Sequence, residues 1–142
     1  MFLAVEEFHA RVGRAHGDVK LDNFLYCRHT NTVRLIDYQP GAYTNHFRSI
    51  EHHETYKSTP AGDFESLGYA VLHSLIGEQF IFKETNALLI RAFKKRFIAS
   101  KTNSPEVAAV QKYLLIATQE TEDPALKRDQ LLACLQTINS PL

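Results

Sequence analysis

Four polar residues near the start of the sequence have the types and spacing that phosphoryl transfer requires. Asp18 and Lys20 lie two residues apart, and Asn23 and Asp37 follow them. The reaction needs an aligned hydroxyl, metal ligands across the phosphates and compensation of the charge on the phosphate oxygens. Asp18 can accept the proton of a substrate hydroxyl, and Lys20 can neutralise a γ-phosphate oxygen. Asn23 and Asp37 can supply hard oxygen ligands to Mg²⁺.

Local patterns place these residues on two neighbouring turns. Residues 3–13 have apolar positions at helical spacing, and the short apolar runs 24–26 and 33–36 flank turn residues, which predicts a helix followed by a β-hairpin. The segment 16–23 connects the helix to the hairpin, and Asp37 follows its second strand. A hairpin brings its two ends together, so we expect Asp18 and Asp37 to face one site.

The remainder of the chain is predicted to be helical. Residues 39–59 show weak periodicity, which predicts a loop over the surface or a site. After Pro60, the apolar spacing predicts a buried central helix that ends at Gly77, and further helices are predicted over 84–99, 105–118 and 124–138. The expected fold is therefore mainly α with one small hairpin, in a single domain spanning 1–142.

Composition excludes several classes of protein. Sixteen basic and sixteen acidic residues give a balanced charge, so nucleic acid is not the expected partner. No apolar run is long enough to span a bilayer, and we expect no membrane association. The two cysteines match neither a metal-ligand spacing nor a disulfide framework, which favours reduced thiols in the cytoplasm or nucleus.

Three segments resemble the protein-kinase family. Residues 16–23 (HGDVKLDN) with 35–38 (LIDY) resemble the catalytic loop and metal-binding turn of protein kinases. Residues 62–69 (GDFESLGY) resemble the central helix of the casein kinase 1 and vaccinia-related kinase group, and 126–132 (LKRDQLL) is similar to the final helix of vaccinia-related kinases. The resemblance covers nearly the whole chain and implies the C-terminal lobe of a Ser/Thr protein kinase, with ATP, Mg²⁺ and a protein substrate.

The resemblance assigns roles at the reacting centre. It implies that Asp18 is the catalytic base and that Lys20 contacts the transferred phosphate. It implies that Asn23 and Asp37 are the metal ligands of the cofactor site. Leu25 would then form the floor beneath the adenine ring.

The resemblance also assigns supporting roles. His16 and Tyr38 are expected to pack beneath the site, and Asp63 is expected to hold the catalytic-loop backbone from the central helix. Glu51 falls where this group has its version of the A-P-E segment. We expect Glu51 to form an ion pair with a base in the final helix, and Arg128 is the leading candidate.

The sequence departs from the family in ways that bear on activity. No glycine-rich loop, strand lysine or partner-glutamate helix precedes His16, so the N-terminal lobe is absent from these 142 residues. We therefore expect the isolated chain to be inactive or very weakly active, with no tightly bound cofactor. Gln39 replaces the D-F-G glycine, and the segment from Asp37 to Glu51 is short. These departures favour an alternative, a pseudokinase-like binding module that docks on a partner kinase or another protein.

Three further patterns receive other interpretations. An H-G-D…N loop also occurs in small-molecule phosphotransferases, but Lys20 and residues 65–69 favour the protein-kinase group. The histidines at 46, 52 and 53 lack the H-E-x-x-H spacing of a zinc site, which favours solvated loop histidines. A basic stretch is predicted to be a solvated helix face, and it comprises Arg91, Lys94, Lys95, Arg96 and Lys101.

Overall fold

The structure is a computed structural model that describes residues 1–138 of the chain. This part is mainly helical, with one two-stranded antiparallel sheet, which confirms the mainly α prediction. Short 3₁₀ turns cover Leu21–Asn23 and Phe80–Lys83. The helices are α1 Phe2–Val12, α2 Ile50–Thr55, α3 Pro60–Ile76, α4 Ala87–Ala99, α5 Pro105–Thr118 and α6 Pro124–Gln136, and the strands are β1 Phe24–Cys27 and β2 Thr32–Leu35.

Helix α3 is the central element of the core, as its apolar spacing predicts. The Thr59 side chain accepts a hydrogen bond from the Gly62 N–H, and Pro60 occupies the first helical position, so the start of the helix is well capped. The helix ends at Gly77, whose φ of 65° favours glycine. Nine of the ten residues 63–72 are buried, with Phe64 the exception, and they centre on Leu67 and Tyr69.

Helices α3 and α5 approach each other closely at Gly68. A Cβ atom at this position would lie 2.5 Å from Leu114 Cδ2 and 2.9 Å from Tyr113 Cδ1. Both neighbours belong to α5 and are fully buried, so neither can move away without disturbing the core. Tyr113 further joins the helices because its hydroxyl donates to the Phe64 carbonyl at 2.6 Å.

The hairpin brings its two ends together, as expected. Phe24 pairs with Leu35, and the Ile36 N–H donates to the Asn23 carbonyl at 2.7 Å, which extends the ladder past the strands. Asn31 has a φ of 52° in the connecting turn, a conformation that asparagine tolerates better than most residues. The hairpin therefore places the turn at 21–23 beside the segment that begins at Ile36.

The segment 39–59 and the start of α4 differ most from the sequence predictions, whereas the ends of α1 and α6 differ by one or two residues. The segment 39–59, predicted to be a loop throughout, contains α2, whose six residues are too few for a periodic pattern. Ser49 caps this helix by accepting from the His52 N–H at 3.0 Å. Helix α4 begins at Ala87 and not at residue 84, because the Asn86 side chain accepts from the Leu88 and Leu89 N–H groups.

Two further findings concern the sequence predictions on membranes and cysteines. Among residues 1–138, no helix has both the length and the apolar character needed to cross a bilayer. Cys27 lies in the hairpin and Cys134 is buried in α6, and both thiols are free in this part of the chain.

We predict that Gly68→Ala destabilises the protein by about 1 kcal/mol. Overpacking of a close helix contact costs about 1–3 kcal/mol, which exceeds the roughly 1 kcal/mol that alanine gains over glycine inside a helix. Urea denaturation measures the free energy of unfolding, with Ser74→Ala on the exposed side of α3 as the control. A Gly68→Ala variant as stable as the wild type would show that α3 and α5 are farther apart than described.

Candidate functional site

The carboxylate of Asp63, in the first turn of α3, fastens the candidate catalytic loop to the core. Its Oδ2 accepts from the His16 N–H at 2.7 Å, and its Oδ1 accepts from the Gly17 N–H at 3.0 Å. His9 Nε2 lies 2.7 Å from Oδ2, so α1 contributes a third partner. Asp63 is only 2% exposed, and a carboxylate at such depth is stable only with partners of this kind. These loop contacts are the ones that the resemblance implies for Asp63.

His16 joins the two turns of the site from below. Its Nε2–H donates to the Ile36 carbonyl at 2.8 Å, and its Nδ1 accepts from the Asp18 N–H at 3.1 Å, so the ring is the neutral Nε2–H tautomer. The ring packs against Phe8 and Tyr38, with centroid distances of 4.9 and 5.9 Å. His16 and Tyr38 thus lie beneath the two turns, where the resemblance places them.

Asp18 and Lys20 meet through a residue that sequence reasoning missed. The Thr44 hydroxyl donates to Asp18 Oδ1 at 2.7 Å and accepts from Lys20 Nζ at 3.1 Å. Lys20 Nζ lies 4.0 Å from Asp18 Oδ2. Thr44 follows Asp18 by 26 residues in a segment without periodicity, and no sequence signal marks it. The three side chains form one hydrogen-bonded group between the segment 16–23 and Thr44.

Glycine at position 17 allows the chain to present this group. Gly17 has a φ of 87°, and a Cβ there would lie 3.2 Å from Ser58 Oγ. The left-handed conformation turns the backbone between His16 and Asp18. As a result, the His16 ring points into the core while the Asp18 side chain contacts Thr44.

Asn23 is fixed by the loop. It is 5% exposed, and its Nδ2 donates to the Asp18 carbonyl at 2.7 Å. This contact assigns the amide orientation, so the Oδ1 atom is the one available to a metal ion. Asn23 therefore lies against Asp18, as a shared site requires.

Asp37 has a strained backbone and an exposed side chain. Its φ of 59° lies in the left-handed region, which costs a residue other than glycine roughly 1 kcal/mol or more. Strain of this kind is common where a side chain must be aimed at a ligand. Gln39, at the position of the family glycine, has no positive φ within the described chain, and Gly41 adopts a φ of 82° in its place.

The donor set of Asn23 and Asp37 suits Mg²⁺ held jointly with phosphate. No cluster of three or more His, Cys, Asp or Glu residues arranged for a metal occurs within residues 1–138. Mg²⁺ is usually held by one or two carboxylates together with substrate phosphates and water. One carboxylate and one amide oxygen are therefore compatible with a nucleotide-bound Mg²⁺, but not with an ion bound by protein alone.

The remaining predicted site residues lie apart from this group. Leu25 is on β1 with 57% of its surface exposed, so no part of the described chain covers it. The expected ion pair between Glu51 and Arg128 is wrong, because Arg128 binds Glu6 through Nε–Oε2 at 2.6 Å and Nη2–Oε1 at 3.0 Å. The long Arg128 side chain reaches from α6 to Glu6 on α1. Glu51 is exposed on α2 and lines the same groove as Arg128.

The predictions of solvated histidines and a wholly solvated basic face are also partly wrong. His52 and His53 are buried, and Lys94 has no exposed surface. Lys94 Nζ lies 2.8 Å from His53 Nε2, whereas the His52 ring packs against Tyr43 at a centroid distance of 5.1 Å. The two histidines therefore diverge and do not form a metal site.

Burial changes the ionisation of this basic cluster. Burial, and then the Lys94 ammonium, lower the pKa of His53 to about 3, so its ring is neutral and can accept a hydrogen bond. Burial also lowers the pKa of Lys94 well below its usual value. The neighbouring Glu65 has a pKa raised by burial, although the Tyr69 hydroxyl and the Ile50 N–H both donate to its carboxyl.

Comparisons with known protein families and curated proteins identify no relative of this chain. No protein-family model matches the sequence, and no curated protein matches it. The kinase resemblance therefore stays a prediction, and function must be inferred from the contacts of the described residues.

We predict that Asp63→Asn lowers the free energy of unfolding by about 2–3 kcal/mol, because hydrogen bonds to a charged group are worth roughly 1.5–3 kcal/mol. The asparagine amide would also direct N–H atoms at backbone N–H donors. Chemical denaturation of this variant is compared with Asp22→Asn, which changes an exposed carboxylate on the same loop. Equal stability of the two variants would contradict the contacts of Asp63.

We predict that His53 makes the protein less stable in mild acid. Its folded-state pKa of about 3 lies below the unfolded value near 6.5, so the unfolded chain takes up the proton first as the pH falls. The stabilisation is present above pH 6.5 and is lost progressively towards pH 3. Between pH 7 and pH 5 the wild type should lose about 2 kcal/mol more than His53→Gln.

Urea denaturation across this pH range tests the His53 prediction. His29→Gln removes an exposed histidine from the hairpin turn and should keep the wild-type pH profile. If His53→Gln also keeps that profile, the pKa of His53 is not lowered in the folded protein, and the described burial of His53 beside Lys94 is contradicted.

Proposed function

We propose that this chain is the large catalytic lobe of a protein-kinase-like Ser/Thr phosphotransferase, which in a complete parent transfers the γ-phosphate of ATP to a protein hydroxyl. The observation that carries the proposal is the group of Asp18, Thr44 and Lys20, held against the core by Asp63. An acid that can accept the proton of a substrate hydroxyl and an amine that can compensate phosphate charge are two of the groups that phosphoryl transfer requires. The Thr44 hydroxyl joins these two side chains.

Asp18 is the proposed general base. The Thr44 hydroxyl occupies Asp18 Oδ1, which orients the carboxylate and leaves Oδ2 to accept the proton of a substrate hydroxyl. Lys20 lies beside the same carboxylate, where its ammonium can compensate negative charge on the transferred phosphoryl oxygens. Proton acceptance and charge compensation thus take place on adjacent side chains.

Asn23 and Asp37 are the proposed ligands of a nucleotide-bound Mg²⁺. The ion, when bound, would bridge phosphate oxygens and neutralise their charge. Asn23 Oδ1 is available because Nδ2 is held by the Asp18 carbonyl, and the Asp37 side chain is exposed on a left-handed backbone just after the hairpin. The interaction of Asn23 with the Asp18 backbone couples the metal site to the base.

These 142 residues are proposed to bind nucleotide weakly when isolated. The fifteen residues before His16 contain no glycine-rich loop and no strand lysine. Each missing charge-assisted hydrogen bond is worth roughly 1.5–3 kcal/mol, and about 1.4 kcal/mol is tenfold in affinity. We therefore expect millimolar affinity at best and no appreciable turnover. A cytoplasmic or nuclear protein with a protein substrate or partner kinase fits this proposal.

A second candidate function is a binding module built on a kinase-like lobe. Leu25 is 57% exposed and Tyr26 is 55% exposed on adjacent positions of β1, so both faces of this strand present apolar surface beside the site. Apolar surface of this kind is typical of a surface that a partner covers. In this alternative the nucleotide site has no catalytic role.

We predict that millimolar Mg²⁺–ATP shifts the backbone amide resonances of Asn23 and Asp37 in a ¹H–¹⁵N spectrum. Asp37→Asn should remove the Mg²⁺-dependent part of the shift, because it removes the proposed carboxylate ligand. Asp22→Asn should leave the shift intact, since Asp22 is exposed and has no assigned role. ATP with EDTA gives the metal-independent shift.

The same samples separate the two candidate functions. Equal responses of Asp37→Asn and the wild type would contradict the metal site, and a total lack of nucleotide effect would favour the binding module. If the isolated chain phosphorylates casein at a rate that Asp18→Asn abolishes, the phosphotransfer proposal is upheld and the expected inactivity is wrong.

A further inference from the structure

Lys94, on α4, lies fully buried beneath the segment 45–48. Its Nζ donates to the Asn45 carbonyl at 2.7 Å, to the Arg48 carbonyl at 2.7 Å and to His53 Nε2 at 2.8 Å. These three acceptors use all three protons of the ammonium group. The side chain has 0% relative exposure, so water does not supply any of these contacts.

A lysine is energetically unfavourable at this buried position. Burying an ammonium group costs several kcal/mol unless the protein replaces its hydration. Lys94 forms no ion pair with a carboxylate in the described chain. Its charge is offset by the three acceptors, by the face of the Tyr69 ring, 4.7 Å from Nζ, and by the Coulomb attraction of the more distant Glu65 carboxylate. An apolar residue of similar size would fill the space at less cost, so the hydrogen bonds account for the lysine better than packing does.

The acceptors of Lys94 are the two ends of one turn. The Phe47 and Arg48 N–H groups both donate to the Thr44 carbonyl at 3.0 Å, which closes a turn over 44–48. Lys94 binds the Asn45 carbonyl near the start of this turn and the Arg48 carbonyl at its end. The Thr44 side chain projects from the first residue of the same turn to Asp18 and Lys20.

We propose that Lys94 is a positioning residue for Asp18, acting through the backbone turn that holds Thr44. Lys94 touches neither Asp18 nor the proposed substrate, and its contact reaches Asp18 through Asn45 and Thr44. The catalytic meaning of this role rests on the proposed function, whereas the mechanical coupling of α4 to Thr44 does not. A core-filling role would stabilise the protein without determining the conformation of Thr44.

Lys94→Met tests the role, because methionine keeps an apolar stem of similar length and removes the three hydrogen bonds. Three-bond couplings report the χ1 angle of Thr44, and hydrogen exchange reports the Arg48 N–H that donates to the Thr44 carbonyl. In Lys94→Met we expect rotamer-averaged Thr44 couplings and exchange of the Arg48 amide faster by about tenfold or more. The wild type should show one Thr44 rotamer.

Two control variants separate positioning from general stability. Lys95→Met changes the adjacent exposed lysine, which binds Glu54 at 3.0 Å, and should leave both signals unchanged. Ile90→Val weakens the buried core on the same helix and keeps the three hydrogen bonds of Lys94, so it should lower stability while Thr44 keeps its single rotamer. If Lys94→Met keeps the single rotamer as Ile90→Val does, the positioning role is overturned.

A second variant covers the case in which Lys94→Met does not fold. The same couplings are then read in Lys94→Gln, and the wild-type protein must show nuclear Overhauser contacts between the Lys94 ammonium protons and the Asn45 and Arg48 backbones. Lack of those contacts overturns the proposal. These signals need neither nucleotide nor turnover, so failure of the phosphotransfer proposal would appear separately, in the Mg²⁺–ATP titration.

Discussion

The burial of one carboxylate, that of Asp63, is the constraint on which the candidate site depends. A charged group at that depth must receive hydrogen bonds, and it receives them from the His16 and Gly17 backbone and from His9. Asp63 belongs to α3, which has nine buried residues. The loop that bonds to Asp63 is therefore fixed relative to this helix. The location of Asp18 therefore follows from the packing of α3 and α5 together with the left-handed turn at Gly17.

A second set of contacts holds the same site, and it comes from residues that follow Asp18 in the sequence. Thr44 contacts Asp18 and Lys20, and the turn that carries Thr44 is bound from below by Lys94 on α4. The side chains of Asp18 and Thr44 are thus fixed by different helices, and their contact at 2.7 Å requires both attachments at once. Rigid support of this kind is what positions reacting groups to within a fraction of an ångström.

Several residues of the protein have environments or backbone conformations that lower its stability. Lys94 and Glu65 both lie in surroundings that disfavour their charged forms, and Asp37 has a left-handed backbone that its residue type disfavours. An apolar cluster and a relaxed turn would give a more stable fold. Lys94 supports the turn that carries Thr44, and Asp37 lies just after the hairpin, so two of these unfavourable features belong to segments of the candidate site.

The sequence by itself determined the local elements: the apolar spacing of α3, its end at Gly77, and the hairpin that brings Asn23 beside Ile36. These features depend on short-range periodicity and turn chemistry, which are visible in a short stretch of sequence without knowledge of its neighbours in space. Only the tertiary structure decided that Lys94 is buried and that Arg128 binds Glu6, 122 residues away. Ion pairs and burial of long polar side chains depend on which helices become neighbours, and that outcome belongs to the packing of the whole chain.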